Sequence, residues 1–536
     1  MGATKVAAIL GLLRMGRRVL VSDVDTVWLG DPEPFLRSAG AHADIAVTSD
    51  CLSREADENK NGTNGRFHPN GVWFCGHNPG NTFGVTFNTG VLYLAPTERA
   101  LAFVERWHAK LLEPTDDWHM EDQRAFNMLV VDGFYPVVAA PPTRSTGEII
   151  LAAKGSLWLM PLPAAKFCGG HTFFVQQSGE RRQCLNVHVT FTEGGVHGKL
   201  WRLREAGLWG LEPEEYYSEG RYLSFVPPTI PGGHLPPAHV EPYDECKARV
   251  ARGEPPSDEY FGWWSPPHSE MRCTRTTAQY RDANGEQGVT IDEAIAASPR
   301  LQAHLKMANR YLLALRDGMA LAWLLNRTFV FPQFGCLCDR SEWPDVMPTC
   351  RLENSDLTFP FHCPLNFLVN VHFMQGIEQG SEGRHGITYR EHSYLSHPWL
   401  SERMRTSRAR VGFRDGGAGA LAEDGTSTTD GPAVVLPRGA TDVEVLTALG
   451  PGSAHDHTAV LILDDAEDVL GGFEDADAGR YVRALLDSKV LYGSWCCSRT
   501  NFHRPGATAF FESPAVLPLG RDASARRKSR LASAGT

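Results

Sequence analysis

Asp23 and Asp25 flank a single valine directly after the apolar run Val19-Leu20-Val21-Ser22. Alternate residues of a strand point to the same face, so this spacing lets both carboxylates meet one ligand. Two acids at the end of a buried strand repel each other unless a cation sits between them. Hard oxygen donors of this kind suit Mg²⁺ or Mn²⁺, and either ion can in turn hold a diphosphate. The plain alternative is a strand followed by an acidic turn, because Asp is common in loops. Two further residues could complete such a centre. His188 closes the apolar strand Asn186-Val187-His188-Val189, and a neutral imidazole is a good third ligand for a divalent ion. A single His also reads as a satisfied core or surface residue. Lys199 follows closely and could neutralise a departing diphosphate, or be a solvated surface lysine.

These residues need elements to position them. The spacing predicts a helix over 3–15, ended near Gly16, that feeds a strand at 19–22. Pro32 and Pro34 break the chain, and 43–49 read as a second strand. Residues 50–83, rich in Asn, Gly and charge, read as a surface loop. Residues 84–95 read as strand, tight Asn88-Thr89-Gly90 turn, then strand. Thr97 caps a helix over 98–112 with Leu101, Val104, Trp107 and Leu111 on one face. A helix at about 120–131 carries Glu121-Asp122-Gln123 in its first turn, where an acid also suits the helix dipole. Strands alternating with helices imply a largely parallel sheet, with ligands at the carboxyl ends of its strands, where Asp23 and Asp25 fall.

Pro227, Pro228, Pro231, Pro236 and Pro237 mark a linker over 226–300, which separates a first domain at 1–225 from a second. The second, 301–520, is α/β: a helix on Leu301, Leu305, Ala308, Leu312, Leu315 and Met319, strands at 433–436 and 459–463, and a helix at 478–487. The Gly- and acid-rich loop 413–432 and the basic tail 521–536 read as disordered.

Composition narrows the function class. The formal charge is −11 with no broad basic stretch before the tail, which excludes binding to bulk nucleic acid. No stretch of roughly 18 apolar residues spans a membrane. Residues 6–13 are apolar, but Arg14, Arg17 and Arg18 follow directly and no small-residue cleavage site appears, so they read as helix. Twelve cysteines are too sparse for a disulfide-built scaffold but allow several bridges in an oxidising lumen. Cys336-Leu337-Cys338 with Cys350 and Cys363 fits no common zinc spacing, which favours bridges or buried thiols. Asn61-Gly62-Thr63 and Asn326-Arg327-Thr328 are glycosylation sequons for a secretory chain.

Asp23-Val24-Asp25-Thr26-Val27 also fits the first motif of haloacid-dehalogenase-type phosphatases. That chemistry needs a later acidic motif on the same sheet. The best candidate, Leu463-Asp464-Asp465 with Asp468, lies beyond the proline linker. A different group matches more of the chain. The Asp23–Asp25 pair (a DxD motif), Phe87-Asn88-Thr89-Gly90, Asp122-Gln123 with Phe126-Asn127, and His188-Val189-Thr190-Phe191 occur in one order. In these the sequence resembles the nucleotide-diphospho-sugar transferases that include plant extensin arabinosyltransferases and rhamnogalacturonan xylosyltransferases. It is most similar to the extensin branch, through Lys199 to Trp209, Glu214-Glu215-Tyr216-Tyr217, Leu223-Ser224-Phe225, Leu324-Leu325-Asn326-Arg327-Thr328 and Tyr389-Arg390-Glu391-His392-Ser393-Tyr394-Leu395.

The resemblance implies a GT-A-like (Rossmann-like) glycosyltransferase domain lacking its first strand, with the second α/β domain behind it. It implies Mn²⁺ (or Mg²⁺), a UDP-sugar donor, UDP-arabinofuranose, and retention at the anomeric carbon. Asp23 would face the donor ribose and the metal, Asp25 would bind the metal directly, and His188 would be the third ligand. Lys199 would meet the diphosphate, while Lys5, Asn88 and Gly90 would border the donor. Asp122 and Gln123 would lie beside the transferred sugar. There an amide stabilises positive charge without forming a durable ester, so a front-face route stands beside a covalent one. The implied acceptor is a hydroxyproline-rich, extensin-like glycoprotein. The implied location is the Golgi lumen, with a type II anchor upstream of Met1. A pectin xylosyltransferase and an inactive truncated scaffold are the alternatives.

Overall fold

The computed structural model describes residues 2–39, 42–51, 87–114, 120–131, 149–176, 183–192, 194–229, 299–339, 357, 359–415 and 432–491. The expectations for 52–83, for most of the 226–300 linker, for the loop interior at 416–431 and for the tail lie outside these residues. The chain divides into two compact units: Met1–Thr192 with Ala238–Ser298 and Asp339–Thr358, and Glu193–Pro237 with Pro299–Cys338 and Phe359–Thr536. The boundary therefore falls before 225. Residues 222–225 carry a buried apolar strand whose backbone partners lie in the second sheet, so pairing overrides the later proline signal.

The first unit runs α1 (Gly2–Arg14), β1 (Val19–Ser22), β2 (Thr26–Trp28), a short helix Glu33–Ala39, β3 (Ile45–Ser49), β4 (Phe87–Leu94), α2 (Glu98–Leu112), α3 (Asp122–Val131), β5 (Ile150–Ala152), β6 (Leu157–Pro161), β7 (Phe167–Gly169), a π-helix His171–Gln176 and β8 (Asn186–His188). Val6, Ile9, Leu10 and Leu13 recur at helical spacing on α1 and are all buried, which fixes its inward face. Thr97 caps α2 by accepting a hydrogen bond from Ala100 N–H. Phe126 of α3 meets Trp107 and Phe103 of α2 edge-on, at 5.1 and 5.3 Å between ring centres.

A five-stranded sheet has the order β1-β4-β3-β6-β5, and a three-stranded one the order β2-β8-β7. The larger sheet is not largely parallel. Only β3 and β6 run parallel; β1 with β4, β3 with β4, and β5 with β6 are antiparallel. Alternation of strands and helices does not set direction where a short hairpin intervenes, as at Ala153-Lys154-Gly155, all with positive φ. Residues 87–94 form one strand and not a hairpin, because β1 pairs along one edge and β3 along the other. The Asn88-Thr89-Gly90 signal becomes a bulge. Val47 pairs with Leu92 and Thr48 with Asn88, which leaves Thr89–Val91 out of that ladder. A disulfide between Cys168 and Cys184 ties β7 to the approach to β8.

The second unit contains α4 (Gly195–Glu205), β9 (Tyr222–Phe225), α5 (Pro299–Leu324), β10 (Thr328–Val330), β11 (Phe334–Cys336), β12 (Phe361–Cys363), β13 (Tyr389–Arg390), β14 (Arg408–Arg414), β15 (Val434–Pro437), β16 (Ala440–Thr441), α6 (Asp442–Leu449), β17 (Val460–Leu463), β18 (Leu470–Gly472) and α7 (Ala476–Lys489). Its six-stranded sheet, β13-β10-β9-β17-β14-β15, is parallel at every pairing. Cys336 and Cys363 form a disulfide across β11 and β12, so neither is a thiolate for zinc. Asn326 is exposed with positive φ, whereas Arg327 beside it is buried and donates to the carbonyls of Thr458, His455 and Asp456.

Candidate functional site

β1 stops at Ser22, so the acid pair sits on a turn and not on the strand. Asp23 N–H donates to Gly90 O at 2.8 Å, and Thr26 N–H donates back to Asp23 O at 3.1 Å. Val24, at the apex, is fully exposed. The two carboxylates thus share a side because the chain reverses around them, not through strand alternation. β2 then leaves antiparallel to β8 with Thr26 opposite His188, and Val189 N–H donates to Asp25 O at 3.1 Å. This register carries the imidazole to the acids. His188 Nε2 lies 3.3 Å from Asp25 Oδ1, and ligand atoms of Asp23, Asp25 and His188 all fall within 4.8 Å of one another.

Gly90 makes room for that ring. A Cβ at this position would lie 2.1 Å from His188 Cε1 and 2.5 Å from Nδ1, well inside contact distance. The bulge therefore needs glycine for close approach. Thr26 Oγ1, on the residue facing His188, is buried and makes no hydrogen bond among the described residues. Two carboxylates, one imidazole, a glycine-lined cradle and an orphaned hydroxyl together fit a divalent ion of the Mn²⁺ or Mg²⁺ type.

Beside this trio the other expected residues of the first unit converge. Lys5 Nζ contacts Asp23 Oδ1 at 2.8 Å, Asp122 Oδ2 at 2.9 Å and Thr89 O at 3.0 Å. Burial acts to lower its pKa, but the hydrogen bonds to Asp23 and Asp122 win and the net shift is upward, so the ammonium stays charged. Thr89 Oγ1 donates to Asp122 Oδ2 at 3.2 Å, and Thr89 N–H donates to Gln123 Oε1 at 3.3 Å. Asp122 is anchored from behind by Trp107 Nε1, which donates to its carbonyl at 2.9 Å. Asn127 clamps Phe87 through two 2.7 Å hydrogen bonds, to the backbone N–H and carbonyl, and so joins α3 to β4. Lys199 lies on α4, in the second unit, partly buried.

One residue escaped the reading of the sequence. Asp50, directly after β3, is buried and accepts from Asn88 Nδ2 at 2.8 Å and Gln123 Nε2 at 3.1 Å. Burial pushes its pKa up to about 6, against the pull of Asn88, His188 and Gln123, with Glu121 adding to the rise. The phosphatase alternative loses its second motif. Asp464 and Asp465 follow β17 of the second unit's sheet, whereas Asp23 and Asp25 follow β1 of the first unit's.

Comparison with known proteins points to the group that the sequence resembles. Residues 1–203 match the family described as nucleotide-diphospho-sugar transferase. The chain is 28% identical over 503 residues to an arabinosyltransferase of Arabidopsis thaliana, across 93% of this chain and 63% of that protein. The chain thus spans less than two thirds of that relative's length. No solved structure matches it significantly.

Proposed function

We infer that this chain, whose residues 1–203 match the nucleotide-diphospho-sugar transferase family, is a metal-dependent glycosyltransferase that uses a UDP-sugar. Its donor is UDP-arabinofuranose, its acceptor an arabinosylated hydroxyproline-rich glycoprotein, and its first domain is GT-A-like. The convergence of Asp23, Asp25 and His188 carries this reading. The similarity to an arabinosyltransferase supports the choice of sugar. Asp23, Asp25 and His188 would hold Mn²⁺. Such an ion, when bound, neutralises a departing diphosphate.

The chain's own residues supply the rest. Lys5 sets a positive charge between Asp23 and Asp122 and so orders both acids beside the donor. Asp122 and Gln123 border the transferred sugar. The Gln123 amide opposes positive charge at the anomeric carbon without forming an ester, which fits a retaining, front-face displacement. In that route the departing diphosphate oxygen takes the proton of the acceptor hydroxyl. The disulfides Cys168–Cys184 and Cys336–Cys363 suit an oxidising compartment such as the Golgi lumen. No described helix is long and apolar enough to cross a membrane.

The test is a panel of UDP-sugars with Mn²⁺ and arabinosylated hydroxyproline peptides. Arabinose transfer that EDTA abolishes is the expected result. Xylose transfer to pectin fragments would move the assignment to the xylosyltransferase. Absence of UDP binding in the presence of Mn²⁺ would overturn it.

A further inference from the structure

Asp50 accepts on both carboxylate oxygens, from Asn88 Nδ2 on Oδ1 and from Gln123 Nε2 on Oδ2. Each amide is held at its other end by a backbone donor. Gly90 N–H donates to Asn88 Oδ1 at 2.8 Å, and Thr89 N–H to Gln123 Oε1 at 3.3 Å. A backbone N–H only donates and a carboxylate accepts, so the oxygen and nitrogen of both amides are assigned by their partners. The two backbone donors are consecutive residues of the β4 bulge, and the second is the glycine under His188. We propose that Asp50 is a positioning residue for sugar transfer, locking Gln123 and Asn88 in one amide orientation each.

The consequence for chemistry rests on the reading of Gln123 given above. A Gln side chain has three free torsions, and ordering it costs free energy that its partners must offset. With Asp50 in place, the Gln123 amide nitrogen is tied to an anion, a stronger bond than one between neutral groups. Hydrogen bonds in series polarise one another, so this bond pushes electron density toward Oε1, the atom that opposes positive charge at the reacting carbon. Asn88, held the same way, keeps the Gly90 amide and hence the floor beneath His188 in place. Asp50 does this from one residue past the end of β3, without itself reaching the three candidate metal ligands through any hydrogen bond found among the described residues.

A partner swap tests the proposal. Asp50→Asn leaves two amide donors facing one acceptor. Gln123→Glu sets two carboxylates against each other in a buried place. The double variant Asp50→Asn/Gln123→Glu restores every bond: the new amide donates to the new carboxylate, which keeps the Thr89 N–H on its other oxygen, and Asn88 keeps an acceptor. Thermal unfolding should show each single variant lower by several degrees and the double variant recovering most of the loss, a coupling that independent sites do not show. In transfer assays Asp50→Asn should lower kcat about a hundredfold, the scale of a displaced positioning group. KM for the UDP-sugar and Mn²⁺ affinity should stay within about threefold, because the substituted side chain keeps one oxygen to accept from Asn88, and the bond lost is the one to Gln123, which matters in the transition state. Additive melting shifts, or an Asp50→Asn enzyme with kcat within about threefold of an active wild type, would overturn the positioning role. A wild type that transfers no sugar from any donor would instead sink the functional reading, and the role in transfer with it.

Discussion

At Asp50, burial and hydrogen bonding pull in opposite directions, and the outcome can be measured. Its folded pKa, about 6, lies above the ordinary value of 3.8, with desolvation as the chief cause. An acid shifted up binds its proton more tightly folded than unfolded. Its contribution to stability is therefore fully present below pH 4 or so and is lost as pH rises through about 6. The shift corresponds to about 3 kcal/mol across that window. In metal-free protein, urea unfolding between pH 4 and pH 7 should show this decline, and Asp50→Asn should flatten it. An unchanged slope in the variant would place the titration elsewhere. Legibility at this scale followed residue type. Asp23, Asp25, His188, Asp122 and Gln123 stood out by motif, and Lys5 only through the family resemblance. Asp50 did not, because one acid at the head of a polar stretch resembles any loop acid. The available signal was its place just after the apolar Ile45–Ser49 strand, the same place Asp23 holds after β1.

The β4 bulge is the element that turns a common turn sequence into a site. Asn-Thr-Gly has the composition of a tight turn, and only pairing on both edges of residues 87–94 reveals a strand. Gly90→Ala would place a methyl group 2.1 Å from His188 Cε1, so the ring must leave or the bulge must open. We expect this variant to lose Mn²⁺-dependent UDP binding, keep its far-UV circular dichroism, and lose about 1–3 kcal/mol of stability, the usual cost of overpacking. Retained binding would mean the ring has another place to go. The Cys168–Cys184 disulfide joins residues 16 apart, and replacing both cysteines with Ala should cost about 3 kcal/mol on the chain-entropy account. A change in unfolding midpoint within error would show that β7 and the approach to β8 hold each other without it. The DxD pair teaches a related lesson. Strand periodicity suggested the convergence of the carboxylates, but a reversal at Val24 produces it.

Across the whole chain, two α/β units were legible, and their boundary was not. The proline-rich stretch is a strong composition signal, whereas Tyr222–Phe225 is a four-residue apolar strand whose allegiance depends on distant β10 and β17. The parallel sheet expected in the first unit belongs to the second, because hairpins such as β5–β6 depend on short turns that helix–strand alternation does not register. A ligand slows hydrogen exchange where it adds stability. With Mn²⁺ and UDP present, amides of β1, β4, β8 and the Asp23–Thr26 turn should exchange more slowly, with the six-stranded parallel sheet little changed. The reverse pattern would put the nucleotide in the second unit. The most direct test is calorimetric titration of Mn²⁺ and UDP into the wild type and into Asp25→Asn and His188→Ala. The wild type should bind UDP only with the metal, and each variant should bind at least about tenfold more weakly, because the proposed centre takes one ligand atom from the carboxylate and one from the imidazole. Variants that bind as tightly as the wild type would contradict a metal centre at these residues.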